Sequence, residues 1–151
     1  MVTTTAPLAA KQVVALFNAS DDTVDMVQRM LGASGFSCLV GCRFADLKKG
    51  LVDFGRYLSR HEPDVVIFDI SPPYLENWQF FSTLRDVKAM KGRGLVLTTT
   101  NKDRLDETVG EDSQALEIVG KPYDLDQIKT AIHAALKRKA GESRRLPRSP
   151  A

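Results

Sequence analysis

Two hydrophobic periods take turns along this chain, five times over. Short apolar runs rich in β-branched residues fall at 12–17, 36–40, 65–69, 95–100 and 116–120, each closed by small, polar or turn-forming residues. Runs of this kind read as strands covered on both faces. Between them apolar residues recur at helical spacing. Val24, Val27, Met30 and Leu31 line a first helix that starts after Ser20 and ends between Gly32 and Gly35. Ser20 is a good N-cap, and Asp21 and Asp22 fall in the first turn, where carboxylates complement the helix dipole. Leu47, Leu51, Phe54 and Leu58 place one amphipathic helix over 44–60, and Trp78, Phe81, Leu84 and Val87 mark another, closed by Gly92 and Gly94. Asn101 can cap a short polar helix with Leu105 and Val109. Asp124-x-x-Gln127 is a capping-box variant ahead of Leu125, Ile128, Ile132 and Leu136. Strands alternating with helices predict an α/β fold, a five-stranded parallel sheet, doubly wound.

The stretch 61–73, His-Glu-Pro-Asp-Val-Val-Ile-Phe-Asp-Ile-Ser-Pro-Pro, organises the whole. It ends a buried strand on a carboxylate, Asp69, at the sheet edge where open α/β proteins bind ligands. Taken alone, Asp69 is equally well a residue that caps a loop.

Length and charge narrow the class. At 151 residues the chain predicts one domain. No apolar run is long enough to span a bilayer, and Met1 to Ala10 lacks the basic start and apolar core of a signal peptide, so a cytoplasmic location without membrane contact is the default. Residues 1–10 carry no pattern and read as a flexible N-terminus, 11–138 as the folded domain, and 139–151 as a disordered basic tail. From Lys137 onward six bases face Glu142 alone, a net +5, which leaves −3 on the rest of a chain whose total is +2. Cys38 and Cys42 are the only cysteines, four residues apart in or beside a strand. They are expected on one face as buried or half-buried thiols, with no histidine nearby to make a metal site.

The predicted strand ends carry Asn18-Ala19-Ser20, Asp69, Thr99 and Lys121-Pro122. Thirty residues separate Asp69 from Thr99, twenty-two separate Thr99 from Lys121, and Pro73 follows Asp69 by four. In this order the set resembles the receiver domain of two-component response regulators, in which an aspartate ends the third strand, a Ser or Thr the fourth and a Lys-Pro the fifth. The resemblance covers residues 11–138 and implies a flavodoxin-like fold of receiver-type βα repeats. It implies that Asp69 is the phosphoacceptor, that Lys121 pairs with carboxylate or phosphoryl oxygens, and that Thr99 donates its hydroxyl to a phosphoryl oxygen. A carboxylate can act as nucleophile and form an aspartyl-phosphate, with catalysis reduced to positioning and charge neutralisation. No enzyme activity is implied beyond self-catalysed phosphoryl transfer to Asp69. The implied partners are a histidine kinase or phosphotransfer protein and a downstream protein target, with a homodimer among the assemblies allowed. The length predicts a single-domain, stand-alone module.

The first strand departs from the family. Receivers hold Mg²⁺ with a pair of acids at its end. Counting back from Gly35 puts Asn18-Ala19 at those positions and Asp21-Asp22 inside the helix start. The implied metal set shrinks to Asp69, the Asn18 amide oxygen and the Ser71 backbone carbonyl, so Mg²⁺ binding is expected to be weakened or lost. The competing expectation is then a pseudo-receiver that binds partners without phosphorylation. Ile118 stands three residues before Lys121, where the family often carries Tyr or Phe. The helix over 44–60 also adds residues relative to the usual receiver.

Other classes fare worse. A nucleotide or flavin carrier needs a Gly-rich or hydroxyl-rich loop at a helix start, and Asn18-Ala-Ser-Asp-Asp-Thr23 puts two acids where a phosphate would sit. The basic tail could touch nucleic acid in a salt-dependent way, but no aromatic residue is interleaved, so nucleic acid is not the expected partner.

Overall fold

Five strands lie parallel in the order β2-β1-β3-β4-β5: β1 (Val13–Phe17), β2 (Ser37–Val40), β3 (Val65–Asp69), β4 (Gly94–Thr99) and β5 (Glu117–Gly120). They belong to a computed structural model that describes residues 12–50, 53–121 and 123–144. α1 (Asp21–Ala33) and α6 (Leu125–Arg144) pack on one face of the sheet. α2 (Phe44–Lys48), α3 (Phe54–His61), α4 (Tyr74–Arg85) and α5 (Lys102–Val109) pack on the other. This is the doubly wound parallel sheet that the alternating periods predict.

β3 lies at the centre, and Val65, Val66, Ile67 and Phe68 are all 0% exposed. A strand covered on both sides has no polar face, which explains the unbroken apolar run. Val65 and Ile67 face α1 and α6, while Val66 and Phe68 face the opposite layer. On that second side Phe17 packs within 5.3 Å, centroid to centroid, of Phe54, Tyr57 and Phe68. A Cβ at Gly41 would lie 2.3 Å from the Phe17 ring. The loop after β2 can cross that ring only as glycine.

The caps are the expected ones. Ser20 Oγ accepts from Thr23 N, and Asn101 Oδ1 from Arg104 N. Asp124 and Gln127 exchange side-chain-to-backbone bonds of 2.8 and 2.9 Å.

Three expectations change. The single helix over 44–60 is two helices. α2 stops before Gly50, whose φ of 75° is left-handed, and Asp53 caps α3 by accepting from Arg56 N at 3.0 Å. The helical period runs on across the break because Leu47, Phe54 and Leu58 still face the same core; Leu51 lies outside the described residues. α4 ends at Arg85 rather than near Gly92, since Val87 is extended and a 3₁₀ turn over Lys88–Met90 follows. The cysteines do not share a face. Cys38 packs against the α1/α6 side and Cys42, beyond the end of β2, against the other. Both are free and half-buried. Burial pushes the Cys38 thiol up to about 11 and raises Cys42 as well, so neither is a thiolate at neutral pH. α6 continues through Lys139 to Arg144, and the rest of the basic tail lies outside the described residues, as do residues 1–11.

Candidate functional site

Strand parity builds the site. Alternate residues of a strand face opposite sides. Asp69 therefore falls with Val65 and Ile67 on the α1/α6 side of the sheet edge. The β3–β4 register places Asp69 beside Thr98, which shares that side with Val96. Thr98 Oγ1 donates to Asp69 Oδ1 at 2.8 Å. Lys121 N donates to Thr99 O at 2.7 Å, which holds the end of β5 against β4. From there Lys121 Nζ reaches the same Asp69 Oδ1 at 2.7 Å. The lysine and aspartate side chains are 20% and 10% exposed, so little water screens the pair. Within its reach, then, the carboxylate oxygen Oδ1 has two donors.

Asn18 ties the site together from β1. Its φ of 62° is left-handed, a conformation asparagine tolerates better than most residues. The turn aims Nδ2 at Asp69 O, 2.8 Å away, and Oδ1 at the N–H of Phe44, 2.9 Å away. The Asn18 N–H donates to Cys42 O. One side chain thus joins β1, β3 and the start of α2. Ala19 is buried on the α1/α6 side. Asp21 and Asp22 are exposed in the first turn of α1, with Asp21 3.2 Å from Arg43. After Asp69 the chain turns through Ser71 and a cis Pro72–Pro73 bond into α4, and Ser71 O accepts from Asn77 Nδ2 at 2.7 Å.

Thr99 faces the other way. It is fully buried, and its Oγ1 lies 3.4 Å from the Tyr74 hydroxyl, which in turn lies 3.4 Å from Thr100 Oγ1. Ile118 packs on this same side. The structure therefore brings together Asp69, Lys121 and Asn18, sets Thr99 on the opposite face of its strand, and adds Thr98, which residue counting had passed over. Pro122 lies outside the described residues.

The donor set does not suit Mg²⁺. A divalent ion of this kind takes carboxylates, phosphate oxygens and waters in octahedral geometry. Here Ala19 offers no oxygen, the Asn18 Oδ1 already accepts from Phe44, Ser71 O from Asn77, and Asp69 Oδ1 from Thr98 and Lys121. Asp69 Oδ2 remains.

Tyr123, two residues past Lys121, is buried on the Asp69 side, and its hydroxyl finds no hydrogen-bond partner among the described residues. Burial, then the Asp69 carboxylate and Cys38, push its phenol up to about 12 from 10.0. The folded protein therefore holds this proton more tightly than the unfolded chain. The stability that goes with it is complete below pH 10 and is lost as pH rises towards about 12. In Tyr123→Phe this component of the alkaline loss is expected to vanish. Removal of an unpaired buried hydroxyl should also raise stability by about 1 kcal/mol. Urea midpoints compared across the alkaline range check both.

Comparison with known proteins fixes the fold. The chain superposes with TM-score 0.67 on the signal receiver domain of an HD domain-containing protein from Pseudomonas fluorescens Pf-5, at 17% identity over 95% of this chain and 100% of that one. The chain has the receiver fold. The chemotaxis protein CheY4 of Vibrio cholerae matches it with TM-score 0.61 and 17% identity over 84% of this chain and 100% of that one. A response regulator receiver domain protein from Clostridium thermocellum gives 0.62 and 19% over 85% and 97%. In sequence, this receiver-fold chain is 26% identical over 98 residues to the response regulator Rre1 of Synechocystis, covering 65% of this chain and 42% of that protein. It is 26% identical over 81 residues to the sensor histidine kinase CheAY of Helicobacter pylori, covering 54% of this chain and 10% of that protein. The receiver-fold chain thus spans less than half of each of these relatives. No family model matches it. Among the described residues no helix is long and apolar enough to cross a membrane.

Proposed function

We propose that this chain is a receiver module of two-component phosphorelay signalling, which takes a phosphoryl group on Asp69 and signals through a protein partner. The observation that carries the reading is the partly buried pair of Lys121 Nζ and Asp69 Oδ1, 2.7 Å apart at the carboxyl edge of β3. The pair supplies a carboxylate nucleophile and a fixed positive charge beside it, which are the parts phosphoryl transfer needs from the protein. The sequence relatives, a response regulator and a sensor histidine kinase, support the same class. The donor would be a histidine kinase or phosphotransfer protein.

Charge balance decides how the site works without a pair of acids. Two further carboxylates would repel a phosphodianion and need a divalent ion to offset them. With Asn18 and Ala19 in their place, Asp69 and Lys121 cancel and the donor meets a site of no net charge. We read the transfer as slow and insensitive to Mg²⁺. A second reading, a pseudo-receiver that binds its partner unmodified, is favoured by the same poor metal donor set, because the strongest charge neutraliser is then missing.

Intact mass after incubation with acetyl phosphate, in EDTA and in Mg²⁺, tests the two. A gain of one phosphoryl group in both conditions, absent in Asp69→Ala, is the expected result. A gain only with Mg²⁺ would overturn the charge argument. No gain from acetyl phosphate or from a phosphohistidine donor would leave the pseudo-receiver.

A further inference from the structure

We propose that Thr98 is a positioning residue that, together with Lys121, holds Asp69 by one oxygen and presents the other, Oδ2, as the single reacting atom. The inference rests on the reading of Asp69 as phosphoacceptor and extends it to a residue outside the resemblance. Both donors that the described residues offer the carboxylate converge on Oδ1: Thr98 Oγ1 at 2.8 Å and Lys121 Nζ at 2.7 Å. A carboxylate held by one donor can still rotate about its Cβ–Cγ bond and exchange its oxygens. Two donors arriving from different strands stop that rotation. Thr98 comes from β4 and is fully buried, while Lys121 follows β5. The Asp69 backbone is fixed as well, since its carbonyl accepts from Asn18 Nδ2 at 2.8 Å. The Ile70 N–H donates to Thr98 O at 2.8 Å, so the strand that carries the hydroxyl also holds the chain just past the carboxylate.

The chemistry follows from which oxygen is free. Oδ2 gives an electron pair to phosphorus and the new O–P bond forms. The bond from phosphorus to the donor's leaving group breaks, and that group departs with its electron pair, as acetate from acetyl phosphate or as neutral imidazole from a phosphohistidine already protonated on its other ring nitrogen. Nothing is oxidised or reduced. Oδ1 becomes the carbonyl oxygen of the acyl phosphate, and it keeps both donors, so neither hydrogen bond must be remade during the step. Held in this way, the nucleophile has its orientation settled before the donor arrives, and loss of orientation is costly in rate.

Thr98→Val keeps the shape of the side chain and removes the hydroxyl, and Thr98→Ser keeps the hydroxyl. In metal-free buffer, Thr98→Val should label about tenfold more slowly at saturating acetyl phosphate, equivalent to about 1.4 kcal/mol of barrier, with the half-saturating concentration unchanged. Thr98→Ser should recover most of that loss. A Thr98→Val rate equal to wild type would overturn the proposal, and so would a Thr98→Ser rate as low as that of Thr98→Val. A change confined to half-saturation would also overturn it. The hydroxyl proton supplies an arm that needs no phosphorylation. In NMR spectra of the whole chain, Thr98 should show a slowly exchanging hydroxyl resonance that disappears in Asp69→Ala. Failure to see it in the wild type would overturn the grip on Oδ1. Absence of labelling in the wild type with that resonance present would strike only at the phosphoacceptor reading.

Discussion

Lys121→Met is expected to destabilise the protein by about 2–4 kcal/mol at neutral pH, and Asp69→Asn added to it to recover most of that loss. The lysine is not a surface cation. Its side chain is 20% exposed and its partner carboxylate 10%, with 2.7 Å between them. Removal of one member of such a pair leaves the other charged in a poorly hydrated place, which costs more than the pair itself contributes. The partial exposure of Lys121 is the reason to expect less than the full cost of a completely buried pair. Thr98 would still donate to Oδ1, but a single neutral donor does not neutralise a carboxylate. In the double variant the amide at position 69 carries no charge, so the penalty falls away. Urea unfolding of wild type, both single variants and the double variant gives the coupling energy, provided the urea dependence stays constant across the four. A cost below about 1 kcal/mol for Lys121→Met would class the pair with exposed ion pairs that contribute little, and would remove the fixed charge on which the proposed chemistry depends.

The fold was legible in the sequence because a doubly wound sheet writes both of its periods openly. Val65 to Phe68 is apolar without interruption because helices cover both faces of β3. Asp69 and Lys121 were legible from their places at the ends of such runs. Thr98 was not. Three threonines stand in a row, and composition cannot choose among them. Counting along the chain selects Thr99, whereas the pairing of Asp69 with Thr98 and the alternation of faces select its neighbour. That choice depends on the register between two strands, which no local pattern records. The structural part that Asn18 plays was hidden for a similar reason. As a residue type it is a possible oxygen ligand. Its partners, Asp69 O and Phe44 N, lie 51 and 26 residues away, and they turn it into a structural tie. The break between α2 and α3 had local signals in Gly50 and Asp53, but the helical spacing of Leu47, Phe54 and Leu58 masked them because both short helices face one core.

Ala19→Asp is expected to give the protein a response to Mg²⁺, and the wild type is expected to give none. Ala19 is 6% exposed and packs on the same side of the sheet as Asp69 and Tyr123. A carboxylate there gives a divalent ion a second acidic side chain beside Asp69, while Asn18 keeps its two hydrogen bonds and the local backbone. In EDTA the added charge is poorly hydrated and lies near another carboxylate, so the variant should lose about 1–3 kcal/mol relative to wild type. Because Mg²⁺ binds the folded form and not the dispersed ligands of the unfolded chain, free Mg²⁺ at ten times its dissociation constant should return ~1.4 kcal/mol. The readout is the urea midpoint with and without Mg²⁺: a rise for Ala19→Asp and none for wild type. The labelling experiment should move in parallel, with transfer to Asp69 becoming Mg²⁺-dependent in the variant, since the added carboxylate leaves one negative charge that Lys121 does not cancel and that an ion must offset. An Mg²⁺-induced rise of equal size in the wild type would mean that Asp69 and the surrounding carbonyls bind the ion unaided. The absence of acids at positions 18 and 19 would then have no functional consequence. A variant as blind to Mg²⁺ as the wild type would mean that Lys121 and Thr98 keep Asp69 out of the coordination sphere even when a second carboxylate is present.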